Sequence, residues 1–194
     1  MLVPMIAALL ELFRSNFYAI DFAVAGSTLV VVGLLYRTGR IDKFIWVLFW
    51  VGVGLGLTWE APMQILNAIG HPVHSYTRPA PVSPAVIVVM HSLWDGGLFL
   101  LGVGLARLVC GGPVLARFRA GELVVLVVWG QASELWVEMT STLGEAWAYI
   151  PRPWNPALFS FNGQPITLMP QLIWLIAPIV FYLIALKIRA GVRA

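Results

Sequence analysis

Apolar residues come in five long runs, roughly 18–36, 43–66, 84–108, 119–142 and 166–188. A hydrocarbon core of ~30 Å takes about 20 helical residues, and each run is close to or beyond that length. The connectors are "RTGRIDK", "GHPVHSYTRPAPVSP", "CGGPVLARFRA" and "LGEAWAYIPRPWNPALFSFNGQP". Prolines and glycines punctuate all but the first, as loops require. The pattern predicts an all-α fold: one transmembrane domain over residues 1–194, built as a five-helix bundle. Residues 1–14 are apolar but have no basic leader and no small-residue cleavage site, so an interfacial helix is expected there rather than a signal peptide. Trp147, Tyr149 and Trp154 suit a last connector lying at the membrane interface.

Composition agrees with the pattern. The chain is 60% hydrophobic and 11% charged, against roughly 25% charged in soluble domains. The net charge of +3 raises the question of nucleic acid. Sorted by connector, however, Arg37, Arg40, Lys43, Arg107, Arg117, Arg119, Lys187, Arg189 and Arg193 fall on one side, and only Arg14, Arg78 and Arg152 on the other. The positive-inside rule then places the C-terminus in the cytoplasm and the N-terminus outside. Topology accounts for the basic charge, and no nucleic-acid platform remains. A lone Cys110 allows no internal disulfide and no thiolate zinc site. Short loops and the missing targeting signal favour a bacterial inner membrane over the endoplasmic reticulum.

The polar residues inside the runs change the picture. Glu60 and Gln64 lie in the second run, His91 and Asp95 in the third, and Gln131, Glu134 and Glu138 in the fourth. Spacings of three and four put these side chains on one helical face. Trp59, Trp94 and Trp136 stand beside the acids. At 1.5 Å of rise per residue, Glu60 is about 25 Å from the cytoplasmic start of its span, Asp95 about 15 Å from the outer start, and Glu134 about 20 Å from the cytoplasmic start. All three fall between the midplane and the outer surface, where a shared, tryptophan-walled pocket is expected. Each ionisable residue costs on the order of 2.5–3.5 kcal/mol to insert. With no intramembrane Lys or Arg to pair them, at least one carboxyl should keep its proton at neutral pH, the state a general acid needs.

Catalytic metal binding is disfavoured, because His91 is the only histidine within a run. No Gly-x-Ser-x-Gly elbow, P-loop or dinucleotide fingerprint occurs, and "GVGLGL" at 52–57 reads as close helix packing. Proton chemistry without a cofactor remains: isomerisation or cyclisation of a sterol- or isoprenoid-type lipid that enters from the bilayer. Glu60 and Asp95 would donate and accept the proton in some order, assisted by His91 and Glu134. Gln64, Gln131 and Glu138 join the tryptophans as substrate-binding candidates. Two other classes stay open: a non-catalytic lipid-binding protein using the same hollow, and a proton-coupled carrier. The carrier would prefer polar groups across the full thickness, whereas here they gather in one half. Expected partners are the lipid substrate and membrane lipids, with a homodimer left open.

The five-span layout resembles the emopamil-binding protein family, the sterol double-bond isomerases of the EXPERA superfamily. In the fifth run "PQLIWLIAP" offers Gln171, Trp174 and Pro178, similar to a family pattern of Asn, Trp and Pro at that spacing. Gly130, Gln131 and Glu134 resemble a family Gly-Gln followed by an acid, and Glu60 corresponds to a family glutamate. His91 falls where the family has a second glutamate. The chain departs from the family at Gly56, where a histidine is usual, and at Gln171. The resemblance adds Gln171 and Trp174 to the substrate-binding candidates. Trp59-Glu60 and Asp95 are also similar to the Trp-Glu and Asp of the fungal meroterpenoid membrane cyclases, which typically have seven spans. Both resemblances imply acid-initiated carbocation chemistry.

Overall fold

The computed structural model describes residues 2–191, so Arg193 of the basic group lies outside the described residues. Five helices carry the fold: α1 (Leu2–Arg37), α2 (Lys43–Ala68), α3 (Pro84–Cys110), α4 (Ala120–Leu143) and α5 (Leu168–Gly191). All five are long and apolar enough to cross a membrane. Their boundaries follow local chemistry. Asp42 Oδ1 caps α2 by accepting from Ile45 N–H at 2.9 Å. Pro84 stands in the first turn of α3, where its missing N–H costs nothing. The carbonyls of Cys110 and Gly111 at the end of α3 accept from the Arg119 guanidinium at 2.7 and 2.9 Å.

One expectation is corrected at the N-terminus. Residues 2–14 do not form a separate helix but run unbroken into the first span, giving a helix of 36 residues, about 54 Å long. The polar residues at this junction do not interrupt the helix. Ser15 Oγ donates back to the Glu11 carbonyl at 2.7 Å and Asn16 Nδ2 to that of Leu12 at 2.8 Å, so both satisfy themselves within the helix.

Helices α2 to α5 pack antiparallel in sequence order, while α1 lies parallel to α3, its Asp21 against His91 and its Thr28 against Gly97. The tightest seam is α2–α3. A Cβ on Gly52 would fall 2.9 Å from Gly96 Cα and 2.9 Å from the Phe99 ring, so hydrogen is the only side chain that fits. Small residues at 52 and 96 thus act as the packing motif expected of "GVGLGL".

The interior is divided along its length. At the end where the basic residues gather, Phe99 stacks on Trp174 and Phe181 at 5.3 and 4.6 Å, and Leu48, Tyr182 and Ala185 are wholly buried. Glu122 is buried there too. It accepts from Arg119 Nη1 at 3.1 Å and Leu115 N–H at 3.0 Å, and from the Tyr182 hydroxyl at 3.3 Å. This half is solid.

The opposite end carries two features that the sequence reading left as loops. Strand β1 (His74–Tyr76) pairs antiparallel with β2 (Trp147–Tyr149), and β3 (Ala157–Phe161) with β4 (Gln164–Thr167). Trp147 is consequently buried rather than interfacial, and of the three aromatics expected at the interface only Trp154 is exposed. Arg14 lies 3.2 Å and Arg78 3.1 Å from Glu145, which fastens α1 and the α2–α3 connector to the end of α4.

The α2–α3 seam yields a stability prediction. Gly52→Leu should force the helices apart and cost about 1–3 kcal/mol, the range for overpacking. Gly54→Leu should be nearly neutral, since nothing lies within 4 Å of a Cβ there. Thermal unfolding of the purified variants in a mild detergent measures the difference; equal midpoints would show the seam to be loose.

Candidate functional site

Above the solid half, the helices separate around a cavity of about 630 Å³, within the range that holds a drug-sized or lipid ligand. Its walls come from all five helices and from β1 and β2. Four acids line it, Asp21 from α1, Glu60 from α2, Asp95 from α3 and Glu134 from α4, and among the described residues no Lys or Arg does. Tryptophans supply much of the rest: Trp59, Trp94, Trp129, Trp147 and Trp174.

Each acid is held differently. Glu60 and His91 meet through Oε2 and Nδ1 at 3.3 Å, and the other ring nitrogen, Nε2, meets Asp21 Oδ2 at 3.1 Å. Asp21 also accepts from Trp94 Nε1–H, at 2.7 Å through Oδ1 and 3.1 Å through its carbonyl. The imidazole thus bridges carboxyls of two other helices, forming a three-member path along which a proton can pass. All three side chains are 12–16% exposed. Asp95 sits over Gly56: a Cβ there would overlap the Asp95 carboxyl. The glycine that departs from the isomerase pattern is what lets this acid lean into the α2–α3 seam. Asp95 Oδ2 and Glu134 Oε1 are buried and have no hydrogen-bond partner among the described residues.

The residues singled out from sequence divide into two groups. Glu60, Gln64, His91, Asp95 and Glu134 line the cavity together with Trp59, Trp94 and Trp174. Trp136 lines it as well, and its 69% exposure places it at the mouth. Ile20 of α1 and Leu101 of α3 are exposed lining residues too, so the cavity opens sideways near the α1–α4 gap. The remaining three are drawn away into the α4–α5 seam. Gln171 Nε2 donates to Glu138 Oε2 at 2.8 Å, Thr167 N–H to Glu138 Oε1 at 3.3 Å, and Gln131 Nε2 to the Gln171 carbonyl at 2.9 Å. Gln131, Glu138 and Gln171 are helix-to-helix fasteners beside the cavity. Asn155 and Asn162 of the last connector are also structural, with Asn155 Oδ1 accepting from Met169 N–H at 2.6 Å and Asn162 Nδ2 donating to the Thr142 carbonyl at 3.0 Å.

Among the lining residues that the sequence pattern does not point to are Asp21, His74 and Tyr149. Asp21 carried a signal, an acid in an otherwise apolar run. His74 and Tyr149 depend on strand pairing across the top of the cavity, in the register His74↔Tyr149 and Tyr76↔Trp147. Alternation along each strand turns all four side chains to one face, and all four line the cavity. His74 Nε2 lies 3.0 Å from Asn67 Nδ2, 2.9 Å from the Tyr76 hydroxyl and 3.4 Å from Gln64 Nε2. Asn67 is oriented by Val73 N–H, which donates to its Oδ1 at 2.9 Å, so its amide nitrogen faces the histidine. Nε2 of His74 is therefore an acceptor, and the ring is neutral with its proton on Nδ1. Burial acts in the same sense and holds its pKa down to about 4.

That shift fixes a pH dependence. Between about pH 6.5 and 4 the unfolded chain protonates this histidine and the folded one does not. Stability is full above 6.5 and declines as pH falls, by an amount on the order of 3 kcal/mol from this group. Denaturation midpoints of wild type and His74→Gln, compared across pH 4–7, should converge as the pH drops. Parallel curves would mean that His74 titrates alike in the folded and unfolded chains.

The chain matches no family model, no curated protein and no solved structure, so its function is argued from the site alone.

Proposed function

We propose that the protein is a membrane enzyme that isomerises or cyclises a sterol- or isoprenoid-type lipid by carboxyl acid–base chemistry, without a cofactor. One observation carries this: two buried carboxyl oxygens, Asp95 Oδ2 and Glu134 Oε1, are left without partners beside a tryptophan-lined cavity that no Lys or Arg lines among the described residues. An orphaned buried polar atom costs about 1–3 kcal/mol, a cost that a reacting acid explains and a structural one does not.

In the proposed reaction Asp95 protonates an alkene carbon, its O–H bond breaking as the C–H bond forms. The positive charge left on the adjacent carbon lies among the faces of Trp59, Trp94 and Trp174, whose ring quadrupoles attract cations. Glu60, positioned by His91, takes a proton from a neighbouring carbon, and the Asp21–His91–Glu60 path carries it away. One proton enters and one leaves, so no oxidant or reductant is consumed. Glu134 adds a second acid to the same wall. The sideways opening suits a substrate arriving from lipid.

The proposal includes an orientation, N-terminus outside and C-terminus in the cytoplasm of a bacterial inner membrane, supported by Arg37, Arg40, Lys43, Arg107, Arg117, Arg119, Lys187 and Arg189 gathering at one end. The cavity then lies in the outer half. A periplasm-dependent phosphatase fused to the C-terminus should be inactive, and a cytoplasm-dependent fluorescent protein active; the opposite pattern inverts the orientation.

The chemistry is tested in heavy water. Purified protein incubated with a panel of sterols and polyprenyl alkenes should place deuterium in the product, detected by mass spectrometry. Asp95→Asn should slow this by about a hundredfold or more, as loss of a general acid does. If the folded protein exchanges no lipid, the enzyme is ruled out, and a lipid that still binds points to a non-catalytic lipid-binding protein.

A further inference from the structure

The strand-capped end of the cavity holds polar groups that the proposed chemistry does not use. Gln64 Nε2 donates to the Tyr76 hydroxyl at 2.6 Å, and that hydroxyl lies 2.9 Å from the neutral His74, to which it can donate in turn. This chain of bonds uses the amide nitrogen of Gln64 and not its carbonyl oxygen, which makes no hydrogen bond within the described residues, and Gln64 lines the cavity. Tyr149, paired with His74 across the ladder, lines the cavity as well, with its ring 6.2 Å from the histidine. No hydrogen bond from its hydroxyl is made within the described residues. Burial, and then the charges of Glu134, Glu60, Glu138 and Asp95, keep the phenol protonated.

We propose that this end of the cavity is a binding site for the hydroxyl group of a neutral lipid alcohol, which receives a hydrogen bond from Tyr149 and gives one to Gln64. A hydroxyl both donates and accepts, and the two free groups flanking His74 offer one partner of each kind. A ketone or ether would satisfy only Tyr149. A lipid phosphate or diphosphate is disfavoured by charge, since it would enter a cavity lined by four acids and, among the described residues, by no Lys or Arg. The nearest arginines cannot help. Arg14 and Arg78 are engaged with Glu145, outside the cavity lining. The inference deepens the lipid reading above, because it concerns the same cavity, but it makes no use of Asp95 or Glu60. Gln64, which the sequence pattern placed among the substrate-binding candidates, here acquires a specific role.

The probe is a tritiated C20 isoprenoid alcohol, with binding measured at equilibrium to protein in lipid nanodiscs. Competitors are the unlabelled alcohol, the hydrocarbon in which a hydrogen replaces the hydroxyl, and the corresponding monophosphate. The alcohol should compete at least about tenfold better than the hydrocarbon, and the phosphate worst of all. Tyr149→Phe should weaken alcohol binding about five- to tenfold, the worth of one hydrogen bond, and leave the hydrocarbon unchanged. The variant keeps its ring and loses no bond within the fold, so a folding defect is not expected; the circular-dichroism melt checks this. Equal competition by alcohol and hydrocarbon, an equal effect of the variant on both, a phosphate that binds as well as the alcohol, or no saturable binding would each overturn the proposal. If the alcohol preference and its Tyr149 dependence hold while no deuterium enters any lipid, the hydroxyl site stands and the catalytic reading falls.

Discussion

A histidine held between two carboxyls governs this structure. His91 on α3 reaches Asp21 on α1 and Glu60 on α2, and among the described residues it is the only basic side chain in the cavity wall besides His74. Carboxyls that share a poorly hydrated space repel when ionised, so a bundle gathering four of them needs something to bind them. The imidazole does this for two. It also sets α1 in place: Asp21 accepts from the Trp94 indole as well as facing His91, so the long first helix is docked on α3 by polar contacts at this level.

The rest of the site depends on how closely α2 and α3 can approach once that bridge is made. Gly52 and Gly96 bring the two backbones together, and Gly56 receives Asp95 one turn further along. The same pair of helices thus supplies one acid engaged by histidine and one, Asp95, whose Oδ2 has no hydrogen-bond partner among the described residues. On the far side α4 brings Glu134, while its neighbours Gln131 and Glu138 are spent on α5. The stacked aromatics around Phe99 and Trp174 fill the basic half, and the acid-lined cavity lies toward the strands.

Most of the helical frame was legible, because runs of 20 apolar residues leave a helix little alternative in lipid. The clustering of Glu60, His91, Asp95 and Glu134 was legible for a related reason, since spacings of three and four select a face. That rule loses resolution within the face. At about 100° per residue, Glu134 stands roughly 60° around α4 from Gln131 and 40° from Glu138. This is enough for one to face the cavity and the others to face α5. Asp21 is hidden in the sequence because an apolar run that begins near residue 18 puts this acid at its boundary, whereas α1 begins at Leu2 and carries it well inside. The β3–β4 hairpin had a local signal in Asn162-Gly163, whose positive φ angles of 49° and 75° suit a tight turn. The β1–β2 ladder had none. Its partners are 71 to 75 residues apart in the chain, a distance at which periodicity carries no information.

The two ends of the cavity have opposite chemical character, and that contrast bears on what can occupy it. Toward the helices the wall presents acids and tryptophan faces, an environment that repels anions and favours a transient positive charge. Toward the strands it presents a neutral histidine, two tyrosine hydroxyls and an amide, groups that exchange hydrogen bonds and carry no formal charge. A ligand matched to both ends is therefore apolar along its length, uncharged in its resting state and able to form one polar contact at a terminus. Phosphorylated lipids fail the first end and simple hydrocarbons gain nothing from the second. On the proposed reading the cavity would select by the sign of charge at one end and by hydrogen bonding at the other, and a lipid would enter by the sideways opening between α1 and α4.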